Sequence, residues 1–192
     1  GLKQLAAYRA ELGGFRFEVQ PEERFFGTGF RALPQDRRGW RMHTYNAPRY
    51  GYDHFAEDLN FSMPVVASSA NYLLYLDNAH AGVLDLAQSN PDELSLLAEG
   101  GPLSYYVVWG EDYPSIMQDF TALVGRQPMP PRWALGYLLS RFGDENQTQS
   151  LDFANRMLEA GYPVDAMIFD LYWYGDVKDI CDMEWDTSRF PD

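Results

Sequence analysis

The chain carries 28 acidic and 15 basic residues in 192, a net charge of −13 that repels nucleic acid and other polyanions. At 46% hydrophobic and 22% charged it is long and apolar enough to bury one large core or two small ones, and no apolar run approaches the roughly 20 residues that span a bilayer. Its one cysteine, Cys181, excludes an internal disulfide.

Residues Phe15 to Gly110 read as short strands separated by turns. "FRFEVQ" (Phe15–Gln20) alternates apolar and polar residues, the pattern of a half-buried strand. "NYLLYLDN" (Asn71–Asn78), "HAGVLDLA" (His80–Ala87) and "LSYYVVWG" (Leu103–Gly110) are rich in β-branched and aromatic residues, with turns at Asp77-Asn78 and Glu99–Pro102. This spacing predicts an antiparallel β-sandwich. "YPSIMQDFTALVG" (Tyr113–Gly125) changes period. Ile116, Phe120 and Leu123 fall on one helical face, and Gly125 stands where a helix would stop.

"RQPMPPRW" (Arg126–Trp133) packs three prolines into eight residues. Proline fixes φ and removes a donor, so this is a stiff connector. It divides the chain into a sandwich domain, 1–127, and a second domain, 128–192. Beyond it "ALGYLLS" (Ala134–Ser140) predicts a strand and "NQTQSLDFANRMLEAG" (Asn146–Gly161) a helix. In that helix Asn146 caps, Leu151, Ala154 and Leu158 form the apolar face, and Gly161 closes the end. "DAMIFDLYW" (Asp165–Trp173) predicts a second strand, parallel to the first.

In parallel β/α units ligands gather at the carboxyl ends of the strands. The first strand ends in Arg141, Phe142, Gly143 and Asp144, and the second in Asp170, Leu171, Tyr172 and Trp173. A carboxylate at an apolar rim is costly unless something uses it. Sugar hydroxyls would use Asp170, and aromatic rings would cover a sugar's C–H face. The bland alternative has Asp170 capping a nearby helix or pairing with Arg141. Other motifs carry less. His43, His54 and His80 show no metal-ligand spacing with each other or with Cys181. Gly27-Thr28-Gly29 is too short for a phosphate loop. "QDRRGWR" (Gln35–Arg41) reads as a solvated loop and "YGYD" (Tyr50–Asp53) as loop packing.

Three stretches in order, "PRWALGYLLSRFGDEN", "YPVDAMIFDLYWYGD" and "MEWDTSRFPD", resemble the opening of the catalytic barrel of glycoside hydrolase family 31. "FGTGFRALPQDRRG", "YNAPRYGYD" and "FSMPVVAS" resemble that family's N-terminal β-sandwich. The resemblance implies a mixed fold: an antiparallel β-sandwich followed by the first β/α units of a (β/α)8 TIM barrel. It implies a retaining enzyme acting on α-glucans, an α-glucosidase or a 4-α-glucosyltransferase. "RQPMPPRWALG…SRFG…DLYWYG" is most similar to the bacterial oligosaccharide 4-α-glucosyltransferases. No metal or cofactor is implied, and the location leans to periplasmic or secreted.

Carried over residue by residue, the resemblance makes Asp170 a ligand for hydroxyls of the glycone sugar. Phe142 lines the same pocket, with Arg141 beside it, and Tyr172 and Trp173 stand where other members carry other residues. Tyr45-Asn46 matches a W-N-like element on a sandwich loop. Many members have an acid shortly after it, where this chain has Ala47-Pro48-Arg49. The catalytic carboxylates of the family lie on later strands, so Asp170 is not the nucleophile. Residues 132–192 suffice for about two strand–helix units, against about 250 residues in a full barrel. With an N-terminus that lacks an initiator Met and a signal peptide, this predicts a fragment of a longer enzyme, inactive alone and partnered by the remainder of its own barrel. The alternative is a non-catalytic carbohydrate-binding β-sandwich module, which has no need of a βαβ unit after the prolines. A purely structural domain, with the aromatics as core, is a third reading.

Overall fold

The computed structural model describes residues 2–8, 12–47, 50–144, 146–180 and 183–192, without the side chains of residues 5–8 and 141. The chain forms two compact units, Gly1–Arg126 and Gln127–Asp192.

The first unit is an antiparallel sandwich. β1 (Lys3–Tyr8), β2 (Gly13–Glu18), β8 (Glu93–Ala98), β7 (Gly82–Leu86) and β4 (Trp40–His43) lie in that order in one sheet. β3 (Phe25–Phe30), β5 (Phe61–Ser68), β6 (Tyr72–Leu76) and β9 (Tyr105–Trp109) form the other. Phe15, Phe17, Phe25, Leu74, Leu84, Leu94 and Leu96 fill the space between them. Where β8 crosses β2 and β7 the backbones approach so closely that a Cβ on Gly14 would meet the Leu96 carbonyl, and one on Gly82 that of Leu97.

β3 did not stand out in the sequence because Gly27, Thr28 and Gly29 interrupt its alternation. All three have positive φ (94°, 69° and 95°), and the β3–β5 register shifts between Gly27 and Gly29. The stretch from Gln35 to Arg41 is not the expected solvated loop. Arg37 is buried and donates to the Pro34 carbonyl. Arg38 donates to the carbonyls of Gln20, Glu23 and Pro91, and Arg41 belongs to β4 with its Nε 3.8 Å from Asp85. A guanidinium carries five donors, and here they tie several loop carbonyls together.

Arg31 does the same for the long connection between β4 and β5. Its side chain is 1% exposed. Nε donates to the Thr28 carbonyl (3.1 Å), Nη2 to that of His43 (2.7 Å) and Nη1 to that of Glu57, with Asp58 3.7 Å away. Burial lowers the guanidinium's pKa from its ordinary value, and Asp58 opposes the shift. Backbone bonds between Ala32 and both Phe55 and Ala56 dock the same connection, and the Phe55 ring stacks on Trp40 at 5.6 Å. Tyr50 and Tyr52 on this connection are exposed, not packed as the sequence suggested.

α1 (Tyr113–Val124) starts from a capping box between Asp112 and Ser115. Ile116 and Phe120 pack on Val65, Leu73 and Val108, whereas Leu123 of the expected stripe is exposed. The stripe therefore covers only the first two turns.

In the second unit Arg132–Leu135 is a 3-10 turn, so the strand predicted from Ala134 begins only at Tyr137. The Asp165 carboxylate accepts from the Tyr137 N–H (3.0 Å) and ties that start to the neighbouring strand. β10 (Tyr137–Arg141) and β11 (Val164–Phe169) are parallel, joined by α2 (Gln147–Glu159). Asn146 caps α2 by accepting from the Gln149 N–H at 3.0 Å. The predicted face of α2 is displaced by one residue. Leu151 and Leu158 are exposed, while Ser150 is buried and Phe153, Ala154 and Met157 are half-buried, an i, i+3, i+4, i+7 stripe of their own. Among the described residues no helix is long and apolar enough to cross a membrane.

Replacing Arg31 by Met should remove the ion pair to Asp58 and the hydrogen bonds to the carbonyls of Thr28, His43 and Glu57. Breaking a buried ionic cluster costs about 3–5 kcal/mol. Urea unfolding of the Arg31→Met variant should register a loss of that order, and an unchanged midpoint would show the cluster to be energetically neutral.

Candidate functional site

The register of β10 on β11 builds the site. Leu138 pairs with Ala166, Leu139 with Met167, Ser140 with Ile168 and Arg141 with Phe169. Paired residues of parallel strands share a face, and successive residues alternate. Met167 and Phe169 line a mainly apolar cavity of about 450 Å³ with Leu151 of α2, Trp185 and Phe190. The opposite face carries Ser140 and Ile168. A barrel places its helices outside, so this second face is the inward one.

One residue beyond the last pair, the strands deliver Phe142 and Asp170 at the same level. Each continues the register of the inward face, two residues after Ser140 and Ile168. Phe142 is 62% exposed and Asp170 is exposed. The Asp170 carboxylate makes no hydrogen bond or ion pair to a described residue. The helix-capping alternative is therefore not the one adopted: Asn146 caps α2, and Asp176 opens the following 3-10 turn, Val177–Asp179.

Tyr172 lies two residues on, its ring 5.9 Å from that of Phe142 and tilted by 48°. Its φ is +71°, a left-handed conformation rare for a bulky side chain. Such backbone costs about 1–3 kcal/mol and persists only when its surroundings hold it. The surroundings here are specific. The Trp173 carbonyl accepts from the Asp186 N–H (2.8 Å), and Arg189 donates to the Gly175 carbonyl (3.0 Å) and to Asp176 (2.6 Å). Asp186 in turn accepts from Ser188 and lies 3.3 Å from Arg189 Nε. The Ser188 hydroxyl is the main influence holding the Asp186 carboxyl below its ordinary pKa.

Trp173 makes its ring contacts with other aromatics of its own segment and of the chain end. It packs against Tyr174 (5.2 Å) and Trp185 (5.3 Å), and Trp185 packs against Phe169 and Phe190. The side chain of Arg141 lies outside the described residues. Tyr45 and Asn46 belong to the first unit. Tyr45 is 61% exposed, just after β4. Asn46 Oδ1 accepts from both the N–H (2.8 Å) and the hydroxyl (3.0 Å) of Ser62, pinning the loop to β5.

A polar cavity of about 910 Å³ adjoins Tyr172, lined also by Asn146, Gln147, Thr148, Asp176 and Arg189. Neither Asp170 nor Phe142 lines this cavity or the apolar one. Sequence reasoning missed these polar lining residues. The available signal was "WDTSRFP", whose Arg189 carbonyl accepts from the Gln147 N–H (2.9 Å) and so joins the chain end to the start of α2. Among the described residues no three His, Cys, Asp or Glu side chains cluster as metal ligands.

Comparison with known proteins agrees across both units. The glycosyl hydrolases family 31 TIM-barrel domain matches residues 127–192, and the glycosyl hydrolase 31 N-terminal galactose mutarotase-like domain matches residues 6–85. The chain is similar to alpha-glucosidase 2 of Bacillus thermoamyloliquefaciens, 29% identical over 100% of this chain and 24% of that protein. It is similar to an alpha-xylosidase of Lactiplantibacillus pentosus, 28% identical over 89% of this chain and 22% of that one. Among solved structures a dextranase of Flavobacterium johnsoniae superimposes with a TM-score of 0.89, at 25% identity over 98% of this chain and 23% of the dextranase. The chain thus spans about a quarter of the length of these relatives.

Asn46→Ala should release the Ser62 N–H and hydroxyl, at about 1 kcal/mol for each lost bond. Hydrogen exchange at Ser62 should accelerate, and Asn46→Asp, which keeps the acceptor, should restore protection. Equal exchange in all three proteins would mean that Asn46 does not pin the loop.

Proposed function

Since the chain belongs to glycosyl hydrolase family 31, we propose that it supplies the sandwich and the first barrel strands of a retaining enzyme acting on α-glucans. The observation that carries this reading is the Asp170 carboxylate. It is exposed at the carboxyl end of β11, level with Phe142, and unpaired with any described residue.

An ionised carboxylate is an acceptor only, with two oxygens that suit adjacent hydroxyls of one sugar ring. Charge-assisted bonds of this kind are short and strong, and they fix the ring's orientation. The Phe142 and Tyr172 rings offer the apolar C–H face a surface at the same level. The contacts of Asp186 and Arg189 that hold the left-handed backbone of Tyr172 also fix its ring beside Phe142. In this reading Trp173 is a positioning residue, anchoring the 170–176 segment through Trp185, and Arg141 borders the pocket. Tyr45 offers an exposed ring from the sandwich, on a loop that Asn46 and Arg31 hold.

Retaining glycosidases need two carboxylates about 5–5.5 Å apart, one as nucleophile and one as acid/base. Asp170 takes neither role. In the proposed enzyme both come from barrel strands other than β10 and β11, and the 192 residues alone turn over no α-glucoside. The covalent glycosyl-enzyme is then resolved by water in an α-glucosidase or by a sugar hydroxyl in a 4-α-glucosyltransferase.

In the full-length enzyme, Asp170→Ala should remove a charge-assisted bond contributing about 1.5–3 kcal/mol. Its kcat/KM on maltooligosaccharides should fall at least about tenfold with the fold intact by circular dichroism. Phe142→Ala should cost less, because it removes only apolar contact. An Asp170→Ala enzyme with undiminished kcat/KM would make the carboxylate structural and sink the proposal.

A further inference from the structure

One end of the sandwich exposes a ring that its strand pattern assigns to the core. In β9, Trp109 pairs with Tyr72 of β6, and two pairs along the same face Tyr105 pairs with Leu76. This is the core face. Tyr72 is 3% exposed, and Tyr105 packs against Phe15 (4.5 Å) and Phe17 (5.2 Å). Trp109 shares the face yet is 60% exposed. Leaving a core-facing indole in water forgoes the largest apolar contribution a side chain has to give.

In front of the indole is a cavity of about 140 Å³ lined by Leu2, Glu18, Gln20, Glu23 and Tyr72. Glu23 is only 6% exposed. One of its oxygens accepts from the Ser68 and Tyr72 hydroxyls, and the other from the Gln20 N–H at 3.0 Å. A carboxylate has about four acceptor positions, so these three bonds leave one for the cavity. Burial, and then Glu23, raise the pKa of the Tyr72 hydroxyl, which keeps it a donor. Glu18 alternates with core residue Phe17 along β2, so its carboxylate lies on the outer face, where it accepts from Lys3 Nζ at 2.8 Å.

We propose that this end of the sandwich is a second carbohydrate-binding site, in which Trp109 stacks on one pyranose ring of an α-glucan and Glu23 accepts one of its hydroxyls. An apolar ring beside a carboxylate acceptor calls for a ligand with one apolar face and O–H donors at its edge, which is what a pyranose presents. An anion is repelled by the Glu23 carboxylate, and a bare cation finds only the one acceptor position that Glu23 leaves. The choice of α-glucan rests on the activity proposed for the barrel, whereas the site itself does not.

Native gels cast with soluble starch test this on the full-length enzyme. Loss of ring stacking should weaken retention of Trp109→Ala roughly two- to tenfold. Trp109→Phe should keep part of it, and Trp109→Leu, apolar but without a ring face, should lose about as much as Trp109→Ala. Turnover of the small substrate p-nitrophenyl α-glucoside should be unchanged in all three. Retention of Trp109→Ala equal to the parent overturns the proposal, as does a parallel loss of small-substrate turnover. If Trp109→Ala does not fold, Trp109→Leu decides, and unchanged retention overturns it. Asp170→Ala separates the two readings. Lost retention in Trp109→Ala with normal turnover in Asp170→Ala would remove the barrel proposal and leave this site standing.

Discussion

The parallel pairing of β10 and β11 is the constraint on which the rim depends. Parallel strands keep paired residues on one face, so the match of Arg141 with Phe169 decides that Phe142 and Asp170 emerge together. A slip of one residue would turn Ile168 and Asp170 toward the helix face and Phe169 toward the interior. Two features hold the register. Asp165 receives the Tyr137 N–H at the start of the strands, and α2 covers the Met167 and Phe169 face near their end.

What the strands deliver, the last ten residues hold in place. Trp185 and Phe190 close over Phe169 and Trp173, while Arg189 bridges Asp176, Asp186 and the Gly175 carbonyl. These contacts surround the segment in which Tyr172 takes its left-handed backbone. A hydrophobic cluster supplies most of the energy in such an arrangement, and the ionic bridges supply direction. Positioning of the rim thus comes from residues that do not stand on it. The sandwich repeats the device: buried Arg31 and the Asn46 amide hold a long loop whose tyrosines are exposed.

The two units spend their aromatics differently. In the sandwich Phe15, Phe17 and Tyr105 are core, as their alternation in strands foretells. In the second unit most rings sit in the segments after the strands, where no pleat orders them. There the same residue type serves as rim (Phe142), as strained neighbour (Tyr172) and as anchor (Trp173). Composition cannot separate those roles, because each rests on which partner the chain folds back upon.

The sequence by itself determined the elements with a strong local signal. The strands around Phe17, Leu74, Leu84 and Val107, the helix capped by Asn146 and the strand ending before Asp170 were all legible, since alternation, helical period and capping act over a few residues. So was the order of motifs that marks the family. The interrupted strand β3 was hidden by its glycines, and the start of β10 by a 3-10 turn whose residues look like strand. The helix stripe at Ser150, Phe153, Ala154 and Met157 was hidden because two exposed leucines looked more apolar than it did. Tertiary structure alone decided that Arg31 and Arg37 are buried, that Trp173 is an anchor, and that a core-facing Trp109 stays in water. Each of these depends on carbonyls, rings or empty space contributed by segments far away in the chain, and no local pattern records what a distant segment will bring.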